Sequence, residues 1–275
     1  ISKKVPGFCI SFILSSLIFF GHIFASGSGS DLWQVYTGEN AFYALIPKNL
    51  MVAVFVILSF WMVGIWFIGA VRYWRDIRTS KNERILLKDI LTATKYAMSL
   101  RFLGGEGEGC TYPDDKPSTN RKWLHHLVLY GFLLDFASTS LASFYDNILD
   151  IPAPYPVLHP VVILGIVGGV GMIIGTSGLL YLNFKRDSEL EDQQASKSGV
   201  SFIMSLWMIA VTGMVLLIFR ETAAMYTLLI LHLGSVAAFF FTAPYTKFAH
   251  FVYRFLSLVN YAQEERQVKE REKTA

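Results

Sequence analysis

The sequence predicts an all-α fold, a polytopic membrane helix bundle with six transmembrane helices and both termini in the cytoplasm. Of the 275 residues, 53% are hydrophobic and only 16% are charged, whereas about a quarter of the residues in soluble domains are charged. Six stretches are apolar over about 20 residues each, the length that crosses a bilayer as a helix. Of the 24 Lys and Arg residues, all except Lys48 and Arg220 fall on one side of these stretches, which identifies that side as the cytoplasm.

The six stretches follow from hydropathy, and the first of them has an alternative interpretation. In chain order they cover residues 8–25, 50–71, 123–145, 157–182, 199–219 and 224–245. Lys3 and Lys4, the first apolar stretch and the following Ala25-Ser-Gly also resemble a secretory signal peptide. We favour a retained helix. Because the chain starts at Ile1 and not at Met, the sequence is compatible with an upstream domain that has been trimmed.

The chain divides into four parts. They are the first two transmembrane helices (1–71), a cytoplasmic loop (72–122), a four-helix core (123–250) and a cytoplasmic tail (251–275). Apolar residues between positions 83 and 102 recur at helical spacing, which predicts an amphipathic helix on the membrane surface or under a partner. Residues 104–109 predict an irregular glycine-rich loop, which lacks the Lys-Ser/Thr of a phosphate-binding loop. The charged residues after Tyr261 are interpreted as helical or frayed.

Histidines carry the functional interpretation. The chain contains His22, His125, His126, His159, His232 and His250. A single membrane histidine is more often an interfacial residue or an interhelical hydrogen-bond partner. Several ionisable groups at membrane depth are costly, however, and together they favour a functional site. Because two neutral imidazoles from facing helices hold haem iron axially in helical bundles, the expected cofactor is b-type haem, with one or two per chain.

Spacing predicts where the iron ligands lie. His232 and His250 are 18 residues apart, which is five turns of one helix and a rise of about 27 Å. One continuous helix would therefore present a ligand at each leaflet on the same face. At the inner level, His250 pairs with either His125 or His126. Adjacent residues differ by about 100° around a helix, so only one of the two faces a given iron, and both alternatives stay open.

The outer level is less defined. His232 needs a partner at its own depth, and either His22 or His159 is a candidate; the alternative is that both are interfacial histidines. His159 precedes Pro160 at a helix entry, where proline is tolerated. A zinc site is a weaker interpretation, because no spacing such as HExxH is present.

Five charged residues extend this site. Asp135 lies in the middle of the third stretch, where a carboxylate is costly, and we interpret it as part of a proton path or a quinone site. Arg121 and Arg254 lie at the inner end and are candidate neighbours of the haem propionates, as are Lys122 and Lys247. The positive-inside rule alone also accounts for these basic residues.

Residues 103–261 resemble the membrane domain of the tricarballylate/citrate utilisation protein B family. The resemblance is carried by LGGEGEGCTYPDD (103–115), RKWLHHLVLYGFLL (121–134), PAPYP (152–156), RETAAM (220–225) and HLGSVAAFFFTAPYTKFAHFVYR (232–254), with FYALIPKNLMV (42–52) and RYWRD (72–76) upstream. More distantly, the spacing of His232 and His250, together with the segment PYTKFAH that ends at His250, is similar to the gamma subunit of respiratory nitrate reductase.

The resemblance implies an electron-transfer subunit without catalytic residues of its own. Electrons would pass from a flavoprotein dehydrogenase, through iron–sulfur clusters, to haem and the quinone pool. It places the ligands on His125 or His126, on His250 and on His232. Relatives often have a histidine where this chain has Lys48, and another where it has Asp146. If either histidine supplies the outer ligand in relatives, the outer haem of this chain is absent or differently ligated.

The partner and the location follow from the same resemblance. Cys9 and Cys110 are too few for a disulfide framework or for an iron–sulfur cluster, which usually needs four thiolates. The clusters therefore belong to a partner subunit at the cytoplasmic face or to a part before Ile1. We expect an integral protein of the bacterial inner membrane or an equivalent energy-transducing membrane, in contact with lipid and with no nucleic acid. The alternatives are a haem-free membrane anchor or assembly subunit, and a transporter.

Overall fold

The computed structural model describes residues 4–78, 84–103, 110–111, 117–185 and 193–274. These residues form eight α-helices, which are α1 Lys4–Ala25, α2 Lys48–Ile77, α3 Leu87–Met98, α4 Asn120–Ile148, α5 Pro160–Phe184, α6 Gln193–Phe219, α7 Met225–Thr242 and α8 His250–Thr274. All except α3 and α8 are long and apolar enough to cross a membrane, which confirms the six predicted helices. Two short strands, Cys110–Thr111 and Pro117–Ser118, pair antiparallel.

The transmembrane helices pack into one bundle around α7. Helix α1 lies along α7, where Phe19 and Ile23 are fully buried against Tyr226 and Ile230. Helix α6 contacts both α5 and α7, and α4 lies along α5. Helix α2 touches α7 and α8 but has no buried residue. Several of its apolar side chains, among them Ile57, Phe60 and Phe67, are exposed, which is stable where lipid is the solvent.

Glycines bring α4 and α5 into backbone contact. A Cβ atom added to Gly131 would lie 2.8 Å from the carbonyl oxygen of Gly168, and one added to Gly175 would lie 2.9 Å from that of Leu124. Small residues allow membrane helices to approach this closely, because dispersion contacts between the backbones replace contacts with lipid. This interface holds α4, and with it His125, in a defined rotation relative to α5.

The outer end, where α1 ends and α2 begins, is closed by polar contacts. The Tyr226 hydroxyl donates to the carbonyl oxygen of Ala41 at 2.6 Å. Lys48 forms an ion pair with Asp146 at 3.0 Å, and the Tyr43 hydroxyl donates to the same carboxylate at 2.9 Å. Burial and the Asp146 carboxylate raise the pKa of Tyr43, so this phenol remains a hydrogen-bond donor at neutral pH.

The continuous helix expected between His232 and His250 is interrupted. Helix α7 ends at Thr242, two 3-10 turns follow (Ala243–Tyr245 and Lys247–Ala249), and α8 begins at His250. Pro244 lacks the N–H that a helix interior requires, and Thr246 is fully extended with φ −105° and ψ 179°. The prediction that one helix presents both histidines on the same face is therefore wrong.

The amphipathic segment forms a helix that is shorter than predicted and packs on the tail. Helix α3 buries Asp89 and Ala93 against α8, whereas Leu87 and Leu91 are exposed. The residues after Tyr261 continue α8, which confirms the helical interpretation of the tail. The predicted glycine-rich loop, residues 104–109, lies outside the described residues.

A buried ion pair between Asp89 and Arg266 holds α3 on α8, and we expect its loss at low pH to release α3. The side chain of Asp89 is only 2% exposed, and Arg266 donates to it at 2.9 Å. Burial by itself raises the pKa of Asp89, but the Arg266 guanidinium and the backbone N–H of Leu86 outweigh this and hold that pKa below its usual value. Because the folded-state pKa is the lower one, the stabilisation is present at neutral pH and is lost as the pH falls through the folded-state pKa.

Replacing Arg266 with Met leaves a buried carboxylate unpaired, which costs on the order of 3 kcal/mol. Exchange of the backbone amide hydrogens of α3, after correction for the intrinsic pH dependence of exchange, should then be faster at pH 7 in this variant than in the wild-type protein. The matched control is Lys88→Met, which removes an exposed ion pair with Glu270 and should have little effect. Unchanged exchange in Arg266→Met would show that the apolar contacts alone hold α3 in place.

Candidate functional site: a histidine pair at the inner end of the bundle

His125 and His250 are brought together at the inner end of the bundle, where α4 begins and α7 ends. His125 lies in the second turn of α4, and His250 is the first residue of α8. The two imidazoles are within electrostatic range of each other. The break after α7 contributes to this arrangement, because it gives His250 an orientation independent of the rotation of α7. Of the two inner pairings left open by the sequence, the geometry favours His125.

The ring nitrogens of this pair are suited to ligation. The Nδ1 atom of His125 is buried and has no hydrogen-bond partner among the described residues. The Nδ1 atom of His250 is hydrogen-bonded to the carbonyl oxygen of Lys247. A carbonyl only accepts, so this Nδ1 carries the hydrogen and Nε2 keeps its lone pair. Such a backbone contact is a common way to fix the tautomer and orientation of a metal-binding histidine.

Aromatic side chains border the pair on its membrane side. Phe248, two residues before His250, contacts the rings of Phe239 at 4.9 Å and Phe132 at 5.2 Å between centroids. Trp66 on α2 packs against Phe248 as well. This cluster was not predicted as part of the site, although the helical spacing of seven residues between His125 and Phe132 places both on one face of α4.

Basic side chains complete the inner end. Arg121 and Arg254 both act electrostatically on His125, so they lie close to the pair. Arg121 is one turn before His125 on α4, and Arg254 is one turn after His250 on α8. The arrangement thus combines two imidazoles, a cluster of aromatic side chains and two cations at one end of the bundle.

His126 points away from the pair and into a row of aromatic residues. Its ring is parallel to that of Tyr130, with 8° between the planes and 5.9 Å between centroids, and it also contacts Trp123 at 5.7 Å. Its Nδ1 atom is buried without a hydrogen-bond partner among the described residues. His125 and His126 therefore occupy different environments, as their angular separation requires.

His232 lies in the outer part of the bundle, against α6. Its Nδ1 atom is 3.1 Å from the Thr212 hydroxyl, and its ring packs on Gly213. The Thr212 hydroxyl lies 2.8 Å from the carbonyl oxygen of Met208, to which it donates, so it accepts from His232. This polar partner on α6 was not predicted, because sequence spacing does not reveal which residues of distant helices meet.

Neither histidine proposed for the outer level is brought to His232. Ser16 packs against Gly234, so His22, six residues further along α1, lies about 6 Å nearer the outer surface than His232. His159 is the N-cap of α5, where its Nδ1 accepts from the backbone N–H of Val161. Its ring stacks on Tyr155 at the outer end. The outer pairing stays a prediction without geometric support.

Lys48 and Asp146, the two positions that the resemblance singled out, contact each other. Besides the ion pair, the Lys48 ammonium donates to the backbone carbonyl oxygen of Asp146 at 2.9 Å. Both residues thus belong to one polar contact between the start of α2 and the end of α4. Their side chains are occupied with each other and with Tyr43.

Asp135 lies two to three turns from His125 along α4, at the interface with α5. A Cβ atom added to Gly168 would collide with its carboxylate, so this glycine makes room for Asp135. Its part in a proton path or a quinone site stays a prediction. Within the part of the chain that the structure describes, no group of three or more His, Cys, Asp or Glu residues could hold a bare metal ion.

The fold and this site define a polytopic helical membrane protein with a pair of histidines at the inner end of its bundle. The chain belongs to the citrate utilization protein B (CitB) family, whose family model matches residues 26–271. It is 38% identical to a curated relative from Escherichia coli, described as citrate utilization protein B, over 259 residues. That alignment covers 94% of this chain and 67% of the relative. No solved structure matches the chain.

Proposed function

We propose that this chain is a haem b-containing membrane subunit that transfers electrons between a cytoplasmic dehydrogenase or iron–sulfur partner and the quinone pool. The observation that carries the proposal is that His125 and His250 lie within electrostatic range of each other, one with an unpartnered buried nitrogen and the other with a fixed tautomer. Two neutral imidazoles are a common axial ligand set for b-type haem. The aromatic cluster and the two arginines support the same cofactor.

When bound, the haem supplies one-electron redox chemistry, and the residues of the chain hold and tune it. His125 and His250 would hold the haem. The hydrogen bond from His250 to the carbonyl oxygen of Lys247 would raise the basicity of that imidazole. Arg121 and Arg254 are placed to neutralise the propionates, and Phe132 and Phe248 exclude water from the apolar face.

The partner and the location are part of the same proposal. The inner end of the bundle carries the basic residues, the paired helices α3 and α8, and the start of α4. We place the dehydrogenase or iron–sulfur partner on this surface. The related protein is named for citrate utilization, and we propose that the complex served by this chain acts in the same process. The bacterial inner membrane or an equivalent energy-transducing membrane is the proposed location.

We expect one haem per polypeptide. His125 and His250 provide one complete pair of imidazoles, whereas His232 is paired with Thr212 and not with a second histidine. The measurement is the ratio of pyridine-haemochrome haem to protein in a preparation from cells supplied with a haem precursor. A ratio near two would restore the outer site at His232. No b-type band in the reduced-minus-oxidised spectrum would favour the haem-free anchor instead.

A further inference from the structure

We infer that the aromatic row on α4, formed by Trp123, His126 and Tyr130, binds the head group of a quinone. This inference rests on the proposed function, because it assigns the place at which electrons leave or enter the haem. The three residues are three and four positions apart, so they form one stripe along the first turns of α4. Asp135, the sequence-based candidate for a quinone site, lies deeper in the bundle and outside this stripe.

One side of this aromatic row is exposed, and the other side is held in place by contacts within the protein. Trp123 is 67% exposed and Tyr130 is 42% exposed, so their rings face the surroundings of the bundle. The His126 and Tyr130 rings lie parallel, and the Tyr130 hydroxyl donates to the carbonyl oxygen of Met98 at 3.0 Å, which fixes it to the end of α3. A planar quinone ring stacks favourably on aromatic faces held in this way.

The polar chemistry of the row favours a quinone over a lipid tail. The Nδ1 atom of His126 is buried without a partner among the described residues. Because an unsatisfied buried N–H is costly, the single hydrogen of the neutral imidazole belongs on Nε2. Quinone carbonyl oxygens only accept hydrogen bonds, so this N–H is the group that would bind one. An interfacial aromatic belt accounts for Trp123 and Tyr130 but not for an imidazole between them.

The position also suits the redox chemistry. His126 follows the proposed iron ligand His125 directly in the chain, so the row lies beside the haem site and at the inner membrane boundary. Reduction of a quinone to its quinol takes up two electrons and two protons. The electrons would come from the reduced dehydrogenase partner proposed above. The protons would come from cytoplasmic water, which reaches this boundary.

The test compares two oxidants of the dithionite-reduced full-length protein in detergent. In His126→Phe, which keeps an aromatic ring but removes both nitrogens, we expect the haem spectrum to be retained. Oxidation by the naphthoquinone menadione should slow about tenfold, the effect of one lost hydrogen bond. Oxidation by ferricyanide, which needs no quinone site, should be unchanged. The matched control is Phe144→Leu, an exposed aromatic residue of the same helix outside the row.

Equal menadione rates in wild type and His126→Phe would overturn the inference while leaving the haem assignment intact. A wild-type protein without a b-type spectrum would instead contradict the proposed function. Photolabelling with an azidoquinone, with adducts assigned to single residues by mass spectrometry, tests the site with or without haem. Adducts at Trp123, His126 or Tyr130 support it, and adducts confined to other parts of the bundle overturn it.

Discussion

Replacing His250 with Ala is expected to remove the b-type haem from the purified protein. A b-type haem has no covalent bond to the protein, so the loss of one of two axial ligands should lower haem content to below about one tenth of wild type. His250 is exposed at the end of the bundle, and its main contact is the hydrogen bond to Lys247. The substitution therefore removes a ligand and little packing, so the helices should still fold. The measurement is the α band in the reduced-minus-oxidised spectrum per mole of protein.

Three further variants separate ligation from general damage. His125→Ala should reproduce the loss of haem, whereas His126→Ala should retain it, because His126 stacks on Tyr130 and points away from the pair. His159→Ala should also retain it, since that ring caps α5 at the outer end. A spectrum that is unchanged in His250→Ala would show that the inner pair has been assigned incorrectly.

The helices of this protein were predictable because lipid restricts the chain to a small set of structures. Every backbone N–H and C=O in a bilayer needs an internal partner, so a long apolar stretch becomes a helix whatever its side chains. For this reason all six stretches were located from hydropathy alone. The break after α7 was missed because counting turns between His232 and His250 assumes a regular helix. Pro244 in the intervening TAPYTKFA segment was the available signal for an interruption.

The candidate residues of the site could be listed from the sequence, but their contacts could not. Histidines at membrane depth are rare enough to make His125, His126, His232 and His250 candidates, and their role as ligands stays a prediction. Which of two adjacent histidines faces the interior depends on the rotation of α4, which is set by its glycine contacts with α5. The contact between His232 and Thr212 depends likewise on how α6 packs on α7. Both depend on contacts between helices, which the spacing of residues within one helix cannot predict.

Replacing Gly175 with Ala is expected to destabilise the bundle and to displace the haem site together with it. The added Cβ atom would lie 2.8 Å from a methyl carbon of Val128 and 2.9 Å from the carbonyl oxygen of Leu124. Because backbone atoms cannot rotate away, α5 and α4 have to separate, and such overpacking typically costs about 1–3 kcal/mol. Leu124 is adjacent to His125, so the movement is transmitted to the proposed iron ligand. Thermal unfolding of the purified protein and its haem content should both decrease relative to wild type.

Two other glycines provide matched controls for this substitution. A Cβ atom added to Gly171, on the same helix, would be 3.5 Å from the carbonyl oxygen of Leu127, an ordinary van der Waals distance, and one added to Gly64 on α2 would meet nothing within 4 Å. Gly171→Ala and Gly64→Ala should therefore keep the stability and haem content of wild type. If Gly175→Ala behaves like these two variants, then α4 and α5 are not held at backbone contact, and the rotation that directs His125 towards His250 must be set by other contacts.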